Sequence, residues 1–119
     1  MPQKGGPVDL HCEDQGDTRL IRVAAPRIDA VIAIRFKDAM RLAMGDGPER
    51  IVLDLAEVEF IDSSGLGAIV AAMKLLGPDR RMDLAGLTPI VDKVFRLTRM
   101  DTVFSIYPDI GTALASGAA

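Results

Sequence analysis

One stretch of the chain, from Ile51 to Gly77, constrains the fold more than any other. It opens with the apolar residues Ile51, Val52 and Leu53, passes through an acidic turn, and continues as an amphipathic segment that begins near Asp62. A near-continuous apolar strand is typical of a central strand in a parallel sheet, because both of its faces are covered. A strand of this kind followed by a helix predicts a βα unit, and therefore an α/β fold.

The segments on either side extend the alternation of strands and helices. The predicted strands are 8–13, 18–25, 50–55, 81–85 and 102–106, and the predicted helices are 30–44, 64–76, 90–98 and 109–115. A turn signal at residues 15–17 predicts a hairpin, so the first strand is expected to be antiparallel and at an edge. Right-handed βαβ connections then give a mostly parallel sheet. One α/β domain is expected over residues 8–115, with flexible tails at 1–7 and 116–119.

Capping signals mark the ends of the predicted helices. Asp29 is expected to cap the first helix and Gly45 to end it. If the second helix begins at Ser64, Ser63 is its N-cap. Thr88 is expected to cap the third helix, ahead of a proline that suits its first turn. The side chains expected to face inward from the second helix are Leu66, Ile69, Val70, Met73 and Leu76.

Composition excludes several classes of protein. The net charge of the 119-residue chain is −3 and its basic residues are scattered, which argues against direct nucleic-acid binding. No apolar run approaches the ~18 residues of a membrane span. The single cysteine, Cys12, fits a reducing compartment, and the N-terminus lacks an apolar signal region. A cytoplasmic monomer without a membrane anchor, cofactor or metal site is expected.

The pair Ser63 and Ser64 is the main functional candidate. One interpretation is that Ser63 only caps a helix. The other is that its hydroxyl is exposed for a partner, which would explain Gly65 and Gly67, since each glycine costs about 1 kcal/mol of helix propensity relative to alanine. Close approach of a partner and tight helix–strand packing both account for these glycines. From the residues alone, the choice stays open.

A phosphate on Ser63 would add about two negative charges next to Asp62, Glu57 and Glu59. The free N–H groups and dipole of the helix N-terminus would lessen that cost within the domain. A partner surface shaped for a neutral hydroxyl, or carrying its own carboxylate, would be repelled. The sequence therefore predicts a switch that acts on binding and leaves the fold intact.

Two aspartates near the serines have alternative interpretations. Asp62 either holds the serine hydroxyl or contacts a partner, or it is a loop residue that forms an Asx-turn with the backbone. Asp54, at the end of the central strand, is either functional or satisfies the N–H groups of the following loop.

Two enzyme interpretations are rejected. A dinucleotide loop starting at Gly65 would need glycine or alanine at position 70, which is Val70, and the glycines do not follow the strand directly. A serine nucleophile would need a base, but the single histidine, His11, lies in the predicted edge strand, and Ser63 lacks a G-x-S-x-G elbow. No catalytic residue is therefore expected.

The segment VLDLAEVEFIDSSGLGAIVAAMK, residues 52–74, resembles the signature of the STAS domain, specifically that of the bacterial anti-sigma factor antagonists. It combines an apolar strand, an acidic turn with the aromatic Phe60, and the motif Asp-Ser-Ser-Gly-Leu-Gly. The resemblance extends over about residues 8–115, including 94–97 and 100–101. It implies a four- to five-stranded sheet flanked by about four helices.

The resemblance also implies a function. Ser63, rather than the alternative Ser64, would be phosphorylated by an anti-sigma factor, a serine kinase with a histidine-kinase-like ATP fold, and a PP2C-type phosphatase would reverse the reaction. The unphosphorylated chain would bind the kinase and free the sigma factor. The residues implied in partner binding are Asp29, Asp62, Ser63, Ser64, Gly65, Leu66 and Gly67. The alternative within the fold is a non-phosphorylated scaffold, or a subunit of a lipid-transport or sensory complex.

The chain departs from the family pattern in two places. Arg27 stands where an acidic residue is usual, just before the matching Asp29, and a charge reversal there would change which kinase is recognised. The usual glycine before the last strand is also absent, and Arg99, Met100 and Asp101 occupy that segment.

Overall fold

The computed structural model describes residues 8–117, so the predicted tail at 1–7 and the last two residues lie outside the described range. The strands are β1 (Leu10–Gln15), β2 (Thr18–Val23), β3 (Arg27–Ile28), β4 (Arg50–Asp54), β5 (Phe60–Ile61), β6 (Arg81–Ala85) and β7 (Ile106–Tyr107). The helices are α1 (Ala33–Met44), α2 (Ser63–Leu75), α3 (Pro89–Leu97) and α4 (Ile110–Gly117), and a 3₁₀ turn occupies Met100–Thr102.

The main sheet has five strands in the order β1-β2-β4-β6-β7. The β1–β2 pair is antiparallel and the other pairs are parallel, which confirms the predicted mostly parallel α/β sheet with an antiparallel edge strand. Its two faces have separate cores. Residues such as Ile21 and Leu53 pack with α1, α2 and α3, whereas Leu20 and Val52 pack with α4 on the opposite face.

The central strand β4 lies between β2 and β6, and all five of its residues are buried. This confirms the prediction made from its apolar run. At its end, the buried Asp54 accepts hydrogen bonds from the backbone N–H of Ala56 (2.9 Å) and from Nε of Arg22 (3.3 Å). Of the two interpretations of Asp54, the structure therefore supports the structural one.

A second, two-stranded sheet pairs β3 with β5 in parallel, joining Arg27 to Phe60 and Ile28 to Ile61. Strands of two residues are too short to leave a periodic pattern, and the sequence did not predict them. This small sheet holds the segment between β3 and α1 beside the start of α2.

The start of α1 differs from the prediction. The helix begins at Ala33 with Ile32 at the N-cap position and no capping side chain, so the prediction that Asp29 caps it is wrong. Instead, Asp29 closes a turn, because its Oδ1 accepts a hydrogen bond from the N–H of Val31 (3.1 Å) and its carbonyl accepts one from Ile32 (3.1 Å). The predicted end at Gly45 is confirmed.

The predicted capping of α3 is also only partly correct. Thr88 occupies the N-cap position, but its hydroxyl donates to the carbonyl of Val58 (2.9 Å) and makes no capping bond. The side chain therefore joins α3 to the loop that precedes β5.

The C-terminal region contains the largest error of the predictions. Instead of a strand at 102–106, the chain forms a 3₁₀ turn after Arg99, which has a left-handed backbone (φ 61°), and the strand β7 has only two residues. The apolar residues in this segment serve the core, because Phe104 is buried with its ring centroid 6.1 Å from that of Phe95. Helix α4 runs to Gly117, two residues beyond the prediction, and Asp109 accepts from the N–H of Thr112 (2.7 Å) at its start.

Candidate functional site

The N-terminus of α2 is capped by Asp62. Its extended backbone precedes the helix, and its Oδ1 accepts a hydrogen bond from the N–H of Gly65 (2.9 Å). The helix therefore begins at Ser63, and the prediction that Ser63 is the cap is wrong. The carboxylate is suited to this position because its charge also interacts favourably with the helix dipole.

Asp62 also fixes the neighbouring segment, because its Oδ2 accepts a hydrogen bond from the N–H of Ala30 (3.1 Å). The bond from Gly65 is the largest cause that lowers the pKa of Asp62, and the bond from Ala30 lowers it further, while partial desolvation acts in the opposite direction. Both carboxylate oxygens thus bind backbone N–H groups. Of the two interpretations of Asp62, the structure supports the one in which it bonds to the backbone.

With the cap provided by Asp62, the hydroxyl of Ser63 is not needed to satisfy the helix. Both Ser63 and Ser64 are exposed. Successive residues of an α-helix are rotated by about 100°, so Ser63 shares the outward stripe of α2 with Gly67 and Lys74, which are also exposed. Ser64 is rotated away from that stripe, toward α1.

The structure explains the two glycines of the motif differently. A Cβ on Gly65 would lie 1.9 Å from the carbonyl oxygen of Ile28 and 2.7 Å from its carbonyl carbon. A side chain is therefore excluded where β3 crosses the first turn of α2. Tight helix–strand packing, one of the two explanations left open by the sequence, applies to Gly65.

Gly67 has no such constraint. A Cβ at this position would lie within 4 Å of no atom beyond its chain neighbours and the backbone of its own helix, and the residue is exposed. Glycine at this position costs about 1 kcal/mol of helix propensity relative to alanine, and no close contact within the described domain requires it. Tight packing therefore does not explain Gly67, and close approach of a partner stays a prediction for this residue.

The segment between β3 and α1 forms the other side of the site. Arg27 makes an ion pair with Asp29 (Nε–Oδ2 3.2 Å), and its guanidinium lies 4.4 Å from the ring centroid of Phe60. The arginine that departs from the family pattern is therefore held by neighbours within the domain. Beyond it, Val31 and Ile34 are 72% and 74% exposed.

The structure brings the predicted partner-binding residues together at one end of the sheet. Asp62 connects α2 to Ala30 and thereby to the turn made by Asp29. The exposed Val31 and Ile34 were missed by the sequence analysis. A signal was present, because Ile34 does not share the helix face of the buried Phe36 and Met40.

The enzyme interpretations can be compared with the geometry. His11 pairs with Arg22 across the β1–β2 hairpin, on the sheet face that α4 packs against. Ser63 lies at the start of α2, on the opposite face. The two residues of the hypothetical nucleophile and base are therefore not adjacent. Within residues 8–117, no group of three His, Cys, Asp or Glu side chains is placed to hold a metal ion, and no helix is long and apolar enough to cross a membrane.

Comparison with known proteins supplies the family. The model of the STAS domain matches residues 10–113. The anti-sigma-B factor antagonist of Listeria monocytogenes is 31% identical over 100 residues, which cover 83% of this chain and 88% of that protein. The anti-sigma-F factor antagonist RsfB of Mycobacterium tuberculosis is 25% identical over 87 residues, covering 73% of this chain and 71% of RsfB.

A solved structure agrees with these relatives. The crystal structure of an anti-sigma factor antagonist from Mycobacterium paratuberculosis superimposes with a TM-score of 0.82 at 27% identity, covering 98% of this chain and 97% of the other. The five-stranded sheet with four helices is thus the architecture of this family. The chain belongs to the STAS domain family and, within it, to the anti-sigma factor antagonists.

Proposed function

We propose that this protein is the phosphorylatable antagonist of a partner-switching pathway. In the unphosphorylated form it binds an anti-sigma factor that is a serine kinase, and the kinase releases its target. Phosphorylation of Ser63 ends this binding, and a PP2C-type phosphatase restores it. The observation that carries the proposal is the exposed Ser63 at the first turn of a helix whose cap is supplied by another residue, Asp62.

In the proposed reaction, the protein is a substrate. Oγ of Ser63 attacks the γ-phosphorus of ATP bound to the kinase, the new O–P bond forms, and the bond between the γ-phosphorus and the bridging oxygen breaks. ADP leaves, and a base of the kinase takes the hydroxyl proton. In the phosphatase reaction, water attacks the phosphorus, the bond between Oγ and phosphorus breaks, inorganic phosphate leaves, and Oγ takes up a proton to become the free hydroxyl.

The geometry explains why such a phosphate would affect binding more than folding. Asp62 occupies the N–H of Gly65, so the helix keeps its cap in either state of Ser63. The phosphate adds about two negative charges to an exposed position that already lies next to Asp62. A partner that approaches α2 closely at Gly67 meets this charge one helical turn away.

Ser63 is favoured over Ser64 as the phosphorylation site because the two side chains leave α2 in different directions. Ser63 shares the outward stripe with Gly67, where a partner can approach without contacting a side chain. Ser64 is rotated by about 100° toward α1. In this proposal Asp29, Asp62 and Gly65 shape the site, while Leu66 and the outward residues contact the partner.

The test is phosphorylation by purified serine kinases of the histidine-kinase-like ATP fold, each taken from the source genome. Incubation with ATP should add one phosphate, which peptide mass spectrometry should locate at Ser63. The Ser63→Ala variant should stay unmodified and bind the kinase, the Ser63→Asp variant should lose at least tenfold in affinity, and Ser64→Ala should behave as the wild type. Equal affinities of the Ser63 variants, measured by calorimetry, would refute the proposal.

The same experiment separates the switch from a non-phosphorylated scaffold. A scaffold in a lipid-transport or sensory complex would bind its partner equally with Ala or Asp at Ser63. The exposure of Ser63 favours the switch. We place the protein in the cytoplasm, where such a kinase obtains ATP, and propose that it acts as a monomer with no direct contact to nucleic acid.

A further inference from the structure

Helices α2 and α3 both pack on the same face of the main sheet but make little direct contact with each other, and the space between them is called here the α2–α3 groove. Helix α1 packs along α2, whereas α3 contacts mainly β5 and the 3₁₀ turn. Because the βαβ crossovers are right-handed, the side of α2 that faces α3 carries Leu66, Val70 and Met73. All three residues are half-buried against the main core and form one wall of the groove.

The other wall comes from α3 with the same spacing. Ile90, Val94 and Leu97 are four and three residues apart, and by the same helical geometry they face α2. Ile90 and Leu97 are 63% and 73% exposed, while Val94 packs on the core. The two stripes place six apolar side chains along about two turns of each helix.

Both ends of the groove are defined by the structure. At its upper end, near the N-termini of both helices, lies β5 with the exposed Phe60, because β5 contacts α2 and α3. Leu66 begins the wall formed by α2, one turn after Ser63. At its lower end is an open cavity of about 440 Å³, lined by Met73, Lys74 and Val103 and also by the charged Arg80, Arg81 and Asp83. The groove therefore starts beside the proposed phosphorylation site and extends away from it.

The outer edges of the groove are basic. Lys74 on α2 and Lys93 on α3 are both exposed on the outward side, and neither forms an ion pair with another residue of the range 8–117. Lys74 is the only charged residue of α2. The nearby Asp92 is paired with Arg96 (3.0 Å) and does not neutralise them. This local positive charge contrasts with the chain's net charge of −3.

We infer that the α2–α3 groove binds an amphipathic helix of the partner, with an apolar stripe directed into the groove and acidic residues toward Lys74 and Lys93. This inference rests on the proposed function, because it assigns the helix to the kinase that meets Ser63. A helix laid in an apolar groove is a common recognition mode. A second copy of this chain is a poorer occupant, since it would bring the same lysines together.

The inference also gives a reason why phosphorylation weakens binding. A phosphate on Ser63 stands at the upper end of the groove, one turn from Leu66. An occupant that carries acidic residues is repelled by that phosphate in addition to losing its contact with the hydroxyl. The unphosphorylated groove keeps the exposed Lys74 and Lys93 at its edges without this added negative charge.

The charge part is tested with the double variant Lys74→Glu/Lys93→Glu and the control Lys37→Glu/Arg41→Glu, which makes the same charge change on α1. Both variants should keep the wild-type melting temperature within a few degrees, because these side chains are exposed. The groove variant should bind the kinase at least tenfold more weakly, whereas the control should stay within about twofold.

The apolar contact between the groove and the partner helix is tested with Leu97→Ala. Its matched control is Leu42→Ala, since both leucines are 73% exposed. Leu97→Ala should weaken kinase binding at least tenfold, and Leu42→Ala should not. If the groove variants bind normally while Ser63→Asp loses binding, the groove inference is overturned and the proposed function stands.

A peptide experiment tests the groove without the kinase. A synthetic 14-residue helix with leucines at positions i, i+4 and i+7 and glutamates beside them is titrated into the ¹⁵N-labelled protein. Shifts confined to the amides of α2 and α3, and absent with the lysine version of the peptide, would support the inference. Shifts elsewhere, or equal shifts with both peptides, would overturn it, as would tighter binding to phosphatidylglycerol vesicles than to the acidic peptide.

Discussion

The two glycines of the Ser-Ser-Gly-Leu-Gly motif give a sharp test, because the same substitution should have opposite effects on stability at the two positions. Gly65→Ala places a methyl group 1.9 Å from the carbonyl oxygen of Ile28, and an ordinary C···O contact is about 3.3 Å. Helix and strand must therefore separate by at least about 1.4 Å. Gly67→Ala places its methyl group in open space.

The cost at Gly65 follows from what the separation disrupts. Ile28 is completely buried, and overpacking a core typically costs 1–3 kcal/mol, about 2 kcal/mol on average. The Asp62–Ala30 bond (3.1 Å) and the bond from Asp62 N to Ile28 O (3.4 Å) lengthen as well, at about 1 kcal/mol each. Alanine returns about 1 kcal/mol of helix propensity. The net expected loss is roughly 3 kcal/mol.

For Gly67→Ala, only the propensity changes, so we expect a gain of about 0.5–1 kcal/mol in the free energy of unfolding. Urea denaturation followed by circular dichroism measures both values, with an unchanged slope expected. Kinase binding should weaken for Gly67→Ala despite its greater stability. A Gly65→Ala variant as stable as the wild type, or a destabilised Gly67→Ala variant, would refute this account of the motif.

Three further predictions concern residues outside the glycine pair. Arg99→Gly should stabilise the protein by about 0.5–1 kcal/mol in urea denaturation, because the left-handed backbone at this position disfavours any residue with a Cβ. The pKa of Asp62 is lower in the folded than in the unfolded state, so its contribution is present above the ordinary pKa of about 4 and is lost as the pH falls further. The midpoint of urea denaturation should therefore fall less for Asp62→Asn than for the wild type between pH 5 and pH 3. Asp83→Asn should cost about 3 kcal/mol, because Arg50 is buried and its Nε bonds to this carboxylate (2.7 Å). The double variant Arg50→Met/Asp83→Leu should recover most of that loss, and a double variant no better than Asp83→Asn would contradict this explanation.

The parts of the fold with strong periodicity were predictable from the sequence. Strand β6 at Arg81–Ala85 matches the prediction, and β4 differs only in the loop residue Leu55. The hairpin at residues 15–17 and the end of α1 at Gly45 were also predicted, because glycine and turn residues have local conformational causes.

The errors lie where distant contacts determine the local structure. The segment 102–106 has the composition of a strand, but the left-handed Arg99 and the burial of Phe104 against Phe95 make it irregular. Asp29 resembles a helix cap, yet Asp62, far along the chain, fixes the segment that follows it. Propensity alone does not contain such contacts.

At the candidate site, the sequence identified the motif but could not assign roles within it. Ser63 and Asp62 are both good N-cap residues, and only the backbone geometry shows which of them precedes the helix. The two glycines are equivalent in the sequence, whereas the position of Ile28 distinguishes them. The groove between α2 and α3 depends on the spacing of two helices and was not predictable from either one.

The capping of α2 by Asp62 has a consequence for how this domain can change during evolution. Ser63, the proposed phosphorylation site, does not cap the helix in which it lies, because Asp62 provides that hydrogen bond. Position 63 can therefore exchange serine for alanine, aspartate or threonine with little effect on the folded state. Under the proposed function, a lineage would gain or lose control by phosphorylation through one substitution with little effect on thermal stability. Changes at Asp62 or Gly65, in contrast, would be selected against through folding before any effect on signalling.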